Sequence, residues 1–263
     1  MIEPSMDRSN ARGVARIIVP IVIAALAVSP AIACAQDAPD GGDGFLFHKP
    51  NYSFVFRGGY SLASASSDVF TIQEQQLTIG PRGFDALSLG TDFIVNVGKR
   101  VDLGFTLEGT TRGHSSEYRD WTEGPDSLPI RQKTTLSTFA FSTNLRYNLR
   151  DRGRAISNFA WIPSNYVPYV GVGVGILNYE LGQKGDFVDT STAAITTDQL
   201  YSQGWAGMAQ LFTGFTYSLS AKYSLVSEAR YTLSTAKLNG DYSDLGRIDL
   251  SGLSLNVGTS IRF

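Results

Sequence analysis

From Asn51 to the end of the chain, apolar and polar residues alternate with a period of two. In the final segment one face carries Leu253, Leu255, Val257, Thr259, Ile261 and Phe263, and the other carries Ser254, Asn256, Gly258, Ser260 and Arg262. Seven earlier segments repeat the pattern, over residues 52–59, 87–97, 102–112, 138–149, 170–176, 210–219 and 223–233. Because successive residues of a strand point to opposite faces of a sheet, this pattern predicts eight strands, each with one apolar and one polar face.

The connections between these segments are sorted by length. Residues 98–100 and 220–222 form short links, and the long polar links are 63–85, 113–132, 182–204 and 235–247. The link at 150–165 is longer than the alternation requires. Bacterial outer-membrane barrels have an even number of strands, short periplasmic turns and long extracellular loops. The sequence therefore predicts an all-β fold, an eight-stranded antiparallel up-and-down transmembrane β-barrel over residues 51–263.

A soluble β-sandwich also has alternating strands, but it has no reason to sort its loops by length or to place aromatic residues at strand ends. The expected periplasmic rim carries Tyr52, Tyr147, Tyr217, Tyr223 and Phe263, and the expected outer rim carries Tyr60, Trp205 and Tyr231. Aromatic rings are most stable at the headgroup level, so this placement favours a membrane barrel. Residues 69–72 and 77–79 are expected to continue a hairpin above the membrane, and a ten-stranded barrel that uses this hairpin is the alternative.

The first 35 residues have the features of a secretory signal peptide. Three arginines precede an apolar run at 17–33, and Ala33-Cys34-Ala35 provides a small-residue cleavage site. The apolar run is short for a spanning helix and is interrupted by prolines. Lipidation of Cys34 is the alternative to cleavage after Ala35. Residues 36–50, which are acidic and glycine-rich, are predicted to form a flexible periplasmic lead.

The net charge and the counts of cysteine and histidine exclude several classes of function. A formal net charge of −2 gives no basic surface for nucleic acid, so no nucleic-acid partner is expected. The single cysteine excludes a disulfide framework and a multi-cysteine zinc site. The two histidines, His48 and His114, leave little material for metal or acid–base chemistry. We therefore predict no cofactor and no metal.

Three segments resemble small barrels of the OmpA-type and OmpW-like superfamily. Residues 255–263, Leu-Asn-Val-Gly-Thr-Ser-Ile-Arg-Phe, resemble the carboxyl-terminal strand that the outer-membrane assembly machinery reads. Residues 166–175 resemble the fifth strand of these barrels, and residues 228–231 resemble their penultimate strand. The resemblance covers residues 50–263. It implies a monomer in the bacterial outer membrane, with Phe263 as the assembly signal and with lipid, lipopolysaccharide and the assembly machinery as partners. Because the sequence ends at Phe263, we expect no peptidoglycan-binding domain after the barrel.

The polar faces carry an unusual number of charges. They are Arg57, Asp92, Asp102, Glu108, Arg112, Arg146, Glu228, Arg230 and Arg262. An eight-stranded barrel is just wide enough to be filled by its own side chains, and buried ions are tolerated only when paired. Strand positions place Arg57, Asp92, Glu108, Glu228 and Arg230 near mid-height, and Asp102, Arg146 and Arg262 near the periplasmic end. We expect two interior salt-bridge layers that plug the lumen; an ion path lined by the same charges is the alternative.

Glycines at 171, 173 and 175 follow the period of a strand. No Lys-Ser/Thr pair and no helix start follow them, so they do not form a phosphate-binding loop. They are expected to leave room for bulky inward side chains such as Phe212 and the arginines.

Catalysis is not expected. An omptin-like protease needs a histidine late in the chain, and none follows His114. His48 precedes the first strand, on the wrong side for a palmitoyltransferase-like site. His114-Ser115-Ser116 with Glu117 superficially offers a deacylase-like group, but it lies at the start of a polar loop.

The remaining functions are non-enzymatic. The first is a structural or surface-interaction barrel that presents the loops 63–85, 113–132, 182–204 and 235–247 to partners. The alternative is a narrow porin-like channel for small solutes. At the periplasmic end, the apolar stretch 159–162 predicts that the link 150–165 folds back against the barrel rim.

Overall fold

The computed structural model describes residues 44–123, 127–157, 160–188 and 194–263. The predicted signal peptide, Cys34 and most of the predicted lead lie outside these residues. The strands are β1 (Tyr52–Ala63), β2 (Ala86–Asn96), β3 (Val101–Glu123), β4 (Leu128–Asn148), β5 (Gly153–Ser157), β6 (Ala160–Pro163), β7 (Tyr166–Val188), β8 (Ile195–Ser218), β9 (Tyr223–Lys237), β10 (Arg247–Asp249) and β11 (Gly252–Arg262). One helix, α1 (Asp68–Gln76), and two 3-10 turns, Pro81–Phe84 and Gly240–Leu245, complete the described elements.

Eight of the strands close into a ring. Each pairs antiparallel with its neighbours in the order β1, β2, β3, β4, β7, β8, β9, β11. β11 then pairs with β1 from Ser53↔Arg262 to Ala63↔Gly252, which closes the barrel. The prediction of an eight-stranded antiparallel barrel is confirmed, and the ten-stranded alternative is wrong.

The barrel wall has an apolar outer face and a largely polar inner face. Outward residues such as Leu87, Leu145 and Leu211 are exposed on the outside of the wall. Inward residues of the same strands, such as Ser88 and Asn144, are buried. The face assignment that the alternation predicts is therefore confirmed. Among the described residues, no helix has both the length and the apolar character needed to cross a membrane.

The two ends of the barrel differ. We call the end with the connections 97–100, 149–165 and 219–222 the turn end, and the opposite end the loop end. At the loop end β3 and β4 remain paired as far as Glu123↔Leu128, and β7 and β8 as far as Val188↔Ile195. Much of the predicted loops 113–132 and 182–204 is therefore strand, because the ladder continues beyond the apolar band.

The connection between β1 and β2 folds into the barrel mouth. α1 begins after Ser67, has Asp68 in its first turn and buries Val69 and Phe70. An acidic residue in the first turn complements the helix dipole. The hairpin expected from residues 69–79 is wrong, because burial of the first apolar pair inside the mouth overrides the strand preference of β-branched residues.

Around α1 the barrel interior is apolar. The helix and the turn that follows it contribute Val69, Phe70, Leu77, Ile79 and Phe84, and the wall and the β9–β11 connection contribute Ala140, Leu177, Tyr179, Leu181, Ala206, Met208, Ala236, Leu238, Tyr242 and Ile248. This is a contiguous hydrophobic cluster of the kind that forms the core of a soluble domain. The packed polar interior expected from the sequence is therefore limited to the turn end and the middle of the barrel.

At the turn end the link between β4 and β7 is a small hairpin of β5 and β6. Trp161 on β6 is 4% exposed, and it exchanges two backbone hydrogen bonds of 2.8 Å with Leu46. Trp161 also lines a cavity together with Asn96, Asp102 and other inward residues of the wall. The expected packing of this link against the barrel rim is thus seen for Trp161, whereas Phe159 lies outside the described residues.

Candidate functional site

The middle of the barrel is organised around Arg57 of β1, which is 4% exposed. Its Nε lies 3.0 Å from Oδ2 of Asp92 on β2, and its Nη2 lies 2.7 Å from Oε2 of Glu108 on β3. Its Nη1 lies 3.8 Å from Oε1 of Glu228 on β9. One guanidinium therefore joins carboxylates from three other strands across the lumen.

A glycine on the neighbouring strand makes room for this guanidinium. Gly90 of β2 is the pairing partner of Arg57. A Cβ added to Gly90 would lie 3.2 Å from the Cζ of Arg57, which is closer than ordinary contact. The glycine lets the arginine lie flat against the wall while it reaches its acidic partners.

A second arginine completes the mid-barrel cluster. Arg230 Nη2 lies 2.8 Å from Oε1 of Glu228, and its Nη1 donates to Oε1 of Gln210 at 3.0 Å. The Arg230 guanidinium lies 4.7 Å from the ring centroid of Phe212. Tyr169, which is fully buried, donates its hydroxyl to Oε2 of Glu228 at 3.0 Å. Both oxygens of the Glu228 carboxylate are therefore engaged.

The structure brings together the five residues that the sequence places at mid-height: Arg57, Asp92, Glu108, Glu228 and Arg230. Buried ions are stable in a protein interior when they are paired and hydrogen-bonded, as these are. Tyr169 also belongs to this cluster, and its position two residues before Gly171 is the signal that places it on the inward face.

The three inward glycines of β7 lie where a larger side chain would collide with neighbouring atoms. A Cβ at Gly171 would lie 2.3 Å from Cζ of Phe212, so this glycine makes room for the phenylalanine as expected. At Gly173 the nearest atom is Oδ1 of Asn144, and at Gly175 it is backbone of β4. These two glycines therefore make room for the amide of Asn144 and for the close approach of β4.

At the turn end, Asp102 forms an ion pair with Arg152 of the link between β4 and β5. Asn148 Nδ2 also donates to Oδ2 of Asp102 at 2.6 Å. Arg152 additionally donates to the carbonyl oxygen of Gly98 in the turn between β2 and β3. Burial lowers the pKa of the Arg152 guanidinium below its ordinary value. The sequence pattern does not predict a role for this arginine, because it lies outside the alternating segments.

The second interior layer therefore differs from the expected one. Arg146 stacks on the ring of Tyr169, with its Cζ 3.9 Å from the centroid, and it has no ion pair among the described residues. Arg262 donates to the hydroxyl of Ser218 at 2.7 Å and to the carbonyl oxygen of Ala221 at 3.3 Å. The two arginines that were expected near Asp102 therefore have other partners. Arg146 stacks on Tyr169, and Arg262 holds the turn between β8 and β9.

At the loop end, polar side chains of α1 and of the wall meet beside the hydrophobic cluster. Gln73 Nε2 donates to Oε1 of Gln183 at 3.3 Å, and the Tyr242 hydroxyl donates to the same oxygen at 2.8 Å. Gln183 in turn donates to Gln132 on β4. These amides fix α1 to two strands and to the β9–β11 connection, so the mouth is closed by directional contacts as well as apolar ones.

The interior spaces between these layers are small. One cavity of about 70 Å³ lies between Glu108 and Met208, below the hydrophobic cluster. A second, of about 50 Å³, lies at the turn end beside Asp102 and Trp161. Both cavities are lined in part by polar side chains, so each can hold ordered water molecules.

The candidate group around His114 is not arranged for nucleophilic catalysis. His114 and Ser116 lie on the inward side of β3, and the buried Ser116 hydroxyl has no hydrogen-bond partner among the described residues. The carboxylate of Glu117 accepts a 3.0 Å hydrogen bond from Arg131. Glu117 is therefore paired with Arg131, and the described residues show no hydrogen bond between Ser116 and His114.

A closed ring of eight antiparallel strands with an apolar outer face and charged inner face is the architecture of an outer-membrane β-barrel. The chain therefore has the fold of a small outer-membrane β-barrel. No protein-family model matches the sequence, and no curated protein matches it.

Several solved outer-membrane proteins are similar to the chain in structure. Neisserial surface protein A aligns at a TM-score of 0.44 with 13% identity, over 81% of this chain and 96% of that one. OprG from Pseudomonas aeruginosa aligns at 0.44 with 15% identity, over 83% and 99%. Ail from Yersinia pestis, in complex with the heparin analogue sucrose octasulfate, aligns at 0.42 with 8% identity, over 81% and 99%.

The buried ion pair at the turn end provides a first prediction. Asp102→Asn is expected to lower the free energy of unfolding by about 2 kcal/mol, because Arg152 loses its charged acceptor in a largely buried position. Urea unfolding in lipid vesicles, followed by tryptophan fluorescence, measures the loss.

Asp151→Asn is the matched control, since Asp151 pairs at 2.7 Å with Arg100 but both side chains are well exposed. Exposed ion pairs contribute little, so this variant should unfold like the wild type. Equal losses from the two variants would contradict the importance of burial at Asp102.

Proposed function

We propose that this protein is a closed, non-conducting scaffold whose loop end lies outside the cell and takes part in surface interactions. The observation that carries the proposal is that the lumen is filled at three levels by side chains of the chain itself. The levels are the turn-end pair Asp102–Arg152, the mid-barrel cluster around Arg57, and the hydrophobic cluster around α1.

The cost of opening the lumen supports this proposal. A pore through the middle requires Arg57 to leave the carboxylates of Asp92 and Glu108, which it holds at 3.0 and 2.7 Å. Leaving buried charges without partners costs several kcal/mol. Water would also have to replace Val69 and Phe70 in the apolar mouth, and the hydrophobic effect opposes that exchange.

The orientation follows the general rule that outer-membrane barrels keep their short turns in the periplasm. The loop end then carries α1 and the long hairpins β3–β4 and β7–β8 outside the membrane. Rigid hairpins that stand on a closed barrel suit recognition, because binding does not have to order them. Lipid and lipopolysaccharide would surround the apolar wall, and the assembly machinery would read the terminal strand that ends at Phe263.

Planar bilayer recording tests the proposal. The purified barrel, shown to be folded by heat-modifiable gel migration, is expected to give no stable unitary currents. The comparison is a barrel with residues 66–79 replaced by a short glycine-serine linker and with Arg57, Asp92 and Glu108 replaced by serine, which removes α1 and the Arg57 ion pairs and is expected to widen the lumen. Stable currents from the wild type would overturn the proposal and favour the narrow porin-like channel, lined by the same charges.

A further inference from the structure

One side of β3 lacks a strand partner just above the membrane band. The pairing of β2 with β3 ends at Leu87↔Thr111, and contact on this edge resumes only where Leu77 bridges Tyr118. Between these points residues 112–116 pair with β4 on their other edge. Among the described residues, the segment 79–84 lies across this gap instead of a strand, since an added Cβ on Gly83 would lie 3.9 Å from Cγ of His114. A cleft remains between this segment and β3.

The cleft has a cationic lining. It has a volume of about 550 Å³, and its lining residues are Thr78, Gly80, Arg82, Gly83, Arg112 and His114. Two arginines and a histidine face the same space, and no carboxylate is among the lining residues. A space with this lining favours an anion.

The two arginines are available for a ligand. Neither Arg82 nor Arg112 forms an ion pair or a side-chain hydrogen bond with another described residue, and the Nε of Arg112 is shielded from solvent without a partner. Neighbouring arginines at this end differ, because Arg119 donates to the carbonyl oxygen of Leu77 at 2.7 Å and Arg131 pairs with Glu117 at 3.0 Å. A shielded guanidinium nitrogen without an acceptor is costly, and a bound oxyanion would satisfy it.

The frame of the cleft is fixed on both sides. Thr78 donates its backbone N–H to the carbonyl oxygen of Glu117 at 2.8 Å, and Glu117 donates its N–H to Oγ1 of Thr78 at 2.9 Å. Thr78 also lines the cleft, and its hydroxyl has a proton that it can donate to a ligand there. On the other side Arg82 sits on the 3-10 turn Pro81–Phe84, which is closed by Gly83 N–H donating to Gly80 O at 2.8 Å.

The height of the cleft indicates where the anion comes from. Arg112 follows Thr111, the partner of Leu87, and Leu87 is an outward residue that is 69% exposed on the lipid-facing wall. A strand rises about 3.3 Å per residue, so Arg112 and His114 lie within roughly 10 Å of the last lipid-facing leucine. That is the level of the headgroups, where the phosphates of outer-leaflet lipids are found.

We propose that this cleft binds a phosphate monoester carried by an outer-leaflet lipid. Arg82 and Arg112 supply charge-assisted hydrogen bonds, and His114 and the Thr78 hydroxyl supply the remaining donors. Arginine suits this role because its planar fork matches the oxygens of a phosphate. The assignment of a lipid source rests on the proposed function, which places the loop end outside.

Binding of lipid A tests the proposal. The full barrel in a non-ionic detergent is titrated with bis-phosphorylated lipid A, with lipid A whose phosphates have been removed, and with inorganic phosphate, and retention is measured by native mass spectrometry. Arg82→Gln/Arg112→Gln is compared with the wild type and with Arg247→Gln, an exposed arginine elsewhere at the loop end. Heat-modifiable migration verifies that each variant is folded.

The double variant is expected to bind phosphorylated lipid A at least about tenfold more weakly, because it loses two charge-assisted hydrogen bonds. Arg247→Gln should bind like the wild type, and removal of the phosphates should abolish the difference between variants. Unchanged affinity of the double variant for phosphorylated lipid A would overturn the site. Variant-dependent binding of inorganic phosphate without such binding of lipid A would overturn the lipid source. Neither result depends on whether the barrel conducts ions. Failure of the lipid-binding proposal can therefore be distinguished from failure of the proposal that the barrel is closed.

Discussion

Arg57→Met is expected to lower the free energy of unfolding of the barrel by about 4 kcal/mol. Methionine keeps much of the side-chain volume but leaves Asp92, Glu108 and Glu228 without the cation that joins them. The loss is large because the three carboxylates stay buried and repel one another. Urea titration of the protein in lipid vesicles, read by tryptophan fluorescence and by heat-modifiable migration, measures it.

A rescue variant separates lost charge balance from lost packing. Adding Asp92→Asn and Glu108→Gln to Arg57→Met removes the unpaired charges, and we expect more than half of the lost stability to return. Arg100→Met is the matched control, since Arg100 pairs with an acid at 2.7 Å on the exposed turn end. A triple variant no more stable than Arg57→Met would show that charge balance is not the cause.

Phe70→Ala is expected to release α1 from the barrel mouth while the wall remains folded. Phe70 is 1% exposed and packs against Phe84 with ring centroids 4.4 Å apart. Truncation of a buried phenylalanine costs about 3 to 5 kcal/mol, which corresponds to at least a hundredfold increase in the open population of the helix. Amide hydrogen exchange within residues 69–77, and the rate of trypsin cleavage after Arg82, should rise accordingly.

The loss is local because α1 is held by one end of the barrel and the eight-stranded ring does not depend on it. Gln75→Ala is the control, since Gln75 lies on the exposed side of the same helix. It should leave exchange and cleavage unchanged. Two results would contradict the conclusion that Phe70 holds α1 in the barrel mouth. One is cooperative unfolding of the whole barrel by Phe70→Ala, and the other is unchanged amide exchange at α1.

Strand periodicity carries most of the information about the wall. A barrel residue faces lipid or lumen according to its parity, so a regular series such as Leu253 to Phe263 fixes both the strand and its faces. The same parity places Arg57, Asp92 and Glu108 inside, and their distance along each strand places them at a similar height. For this reason the sequence predicts the ring and the residues of the mid-barrel layer, whereas the individual ion pairs follow from the three-dimensional arrangement.

The helix α1 and the hydrophobic cluster around it could not be predicted from strand periodicity. Val69, Thr71 and Ile72 are β-branched or apolar and favour a strand when considered locally. They form the first turns of a helix because the interior of the mouth, lined by residues such as Leu177 and Met208, offers an apolar surface that only tertiary structure creates. Local pattern carries no information about that surface.

Arg152 was missed for a related reason. It lies in an irregular link where parity assigns no direction, among other arginines that carry the same charge. Asp102 and Arg146 are direct cross-strand partners, so an ion pair between them is the natural expectation. The link that contains the β5–β6 hairpin instead brings Arg152 to Asp102 at the turn end. Arg146 stacks on the ring of Tyr169.

The seam between β1 and β11 sets the order in which the barrel is completed. It pairs Ser53 with Arg262, and Phe263 donates its backbone N–H to the carbonyl oxygen of Tyr52 at 2.9 Å, so nearly the whole barrel sequence separates the two sides. Contacts between such distant residues close late, whereas hairpins joined by short turns form early. Until the seam closes, both terminal strands have unpaired backbone groups that cannot be left bare in lipid. The nascent barrel must therefore keep its first and last strands protected, by water or by another protein, until the final residue is in place.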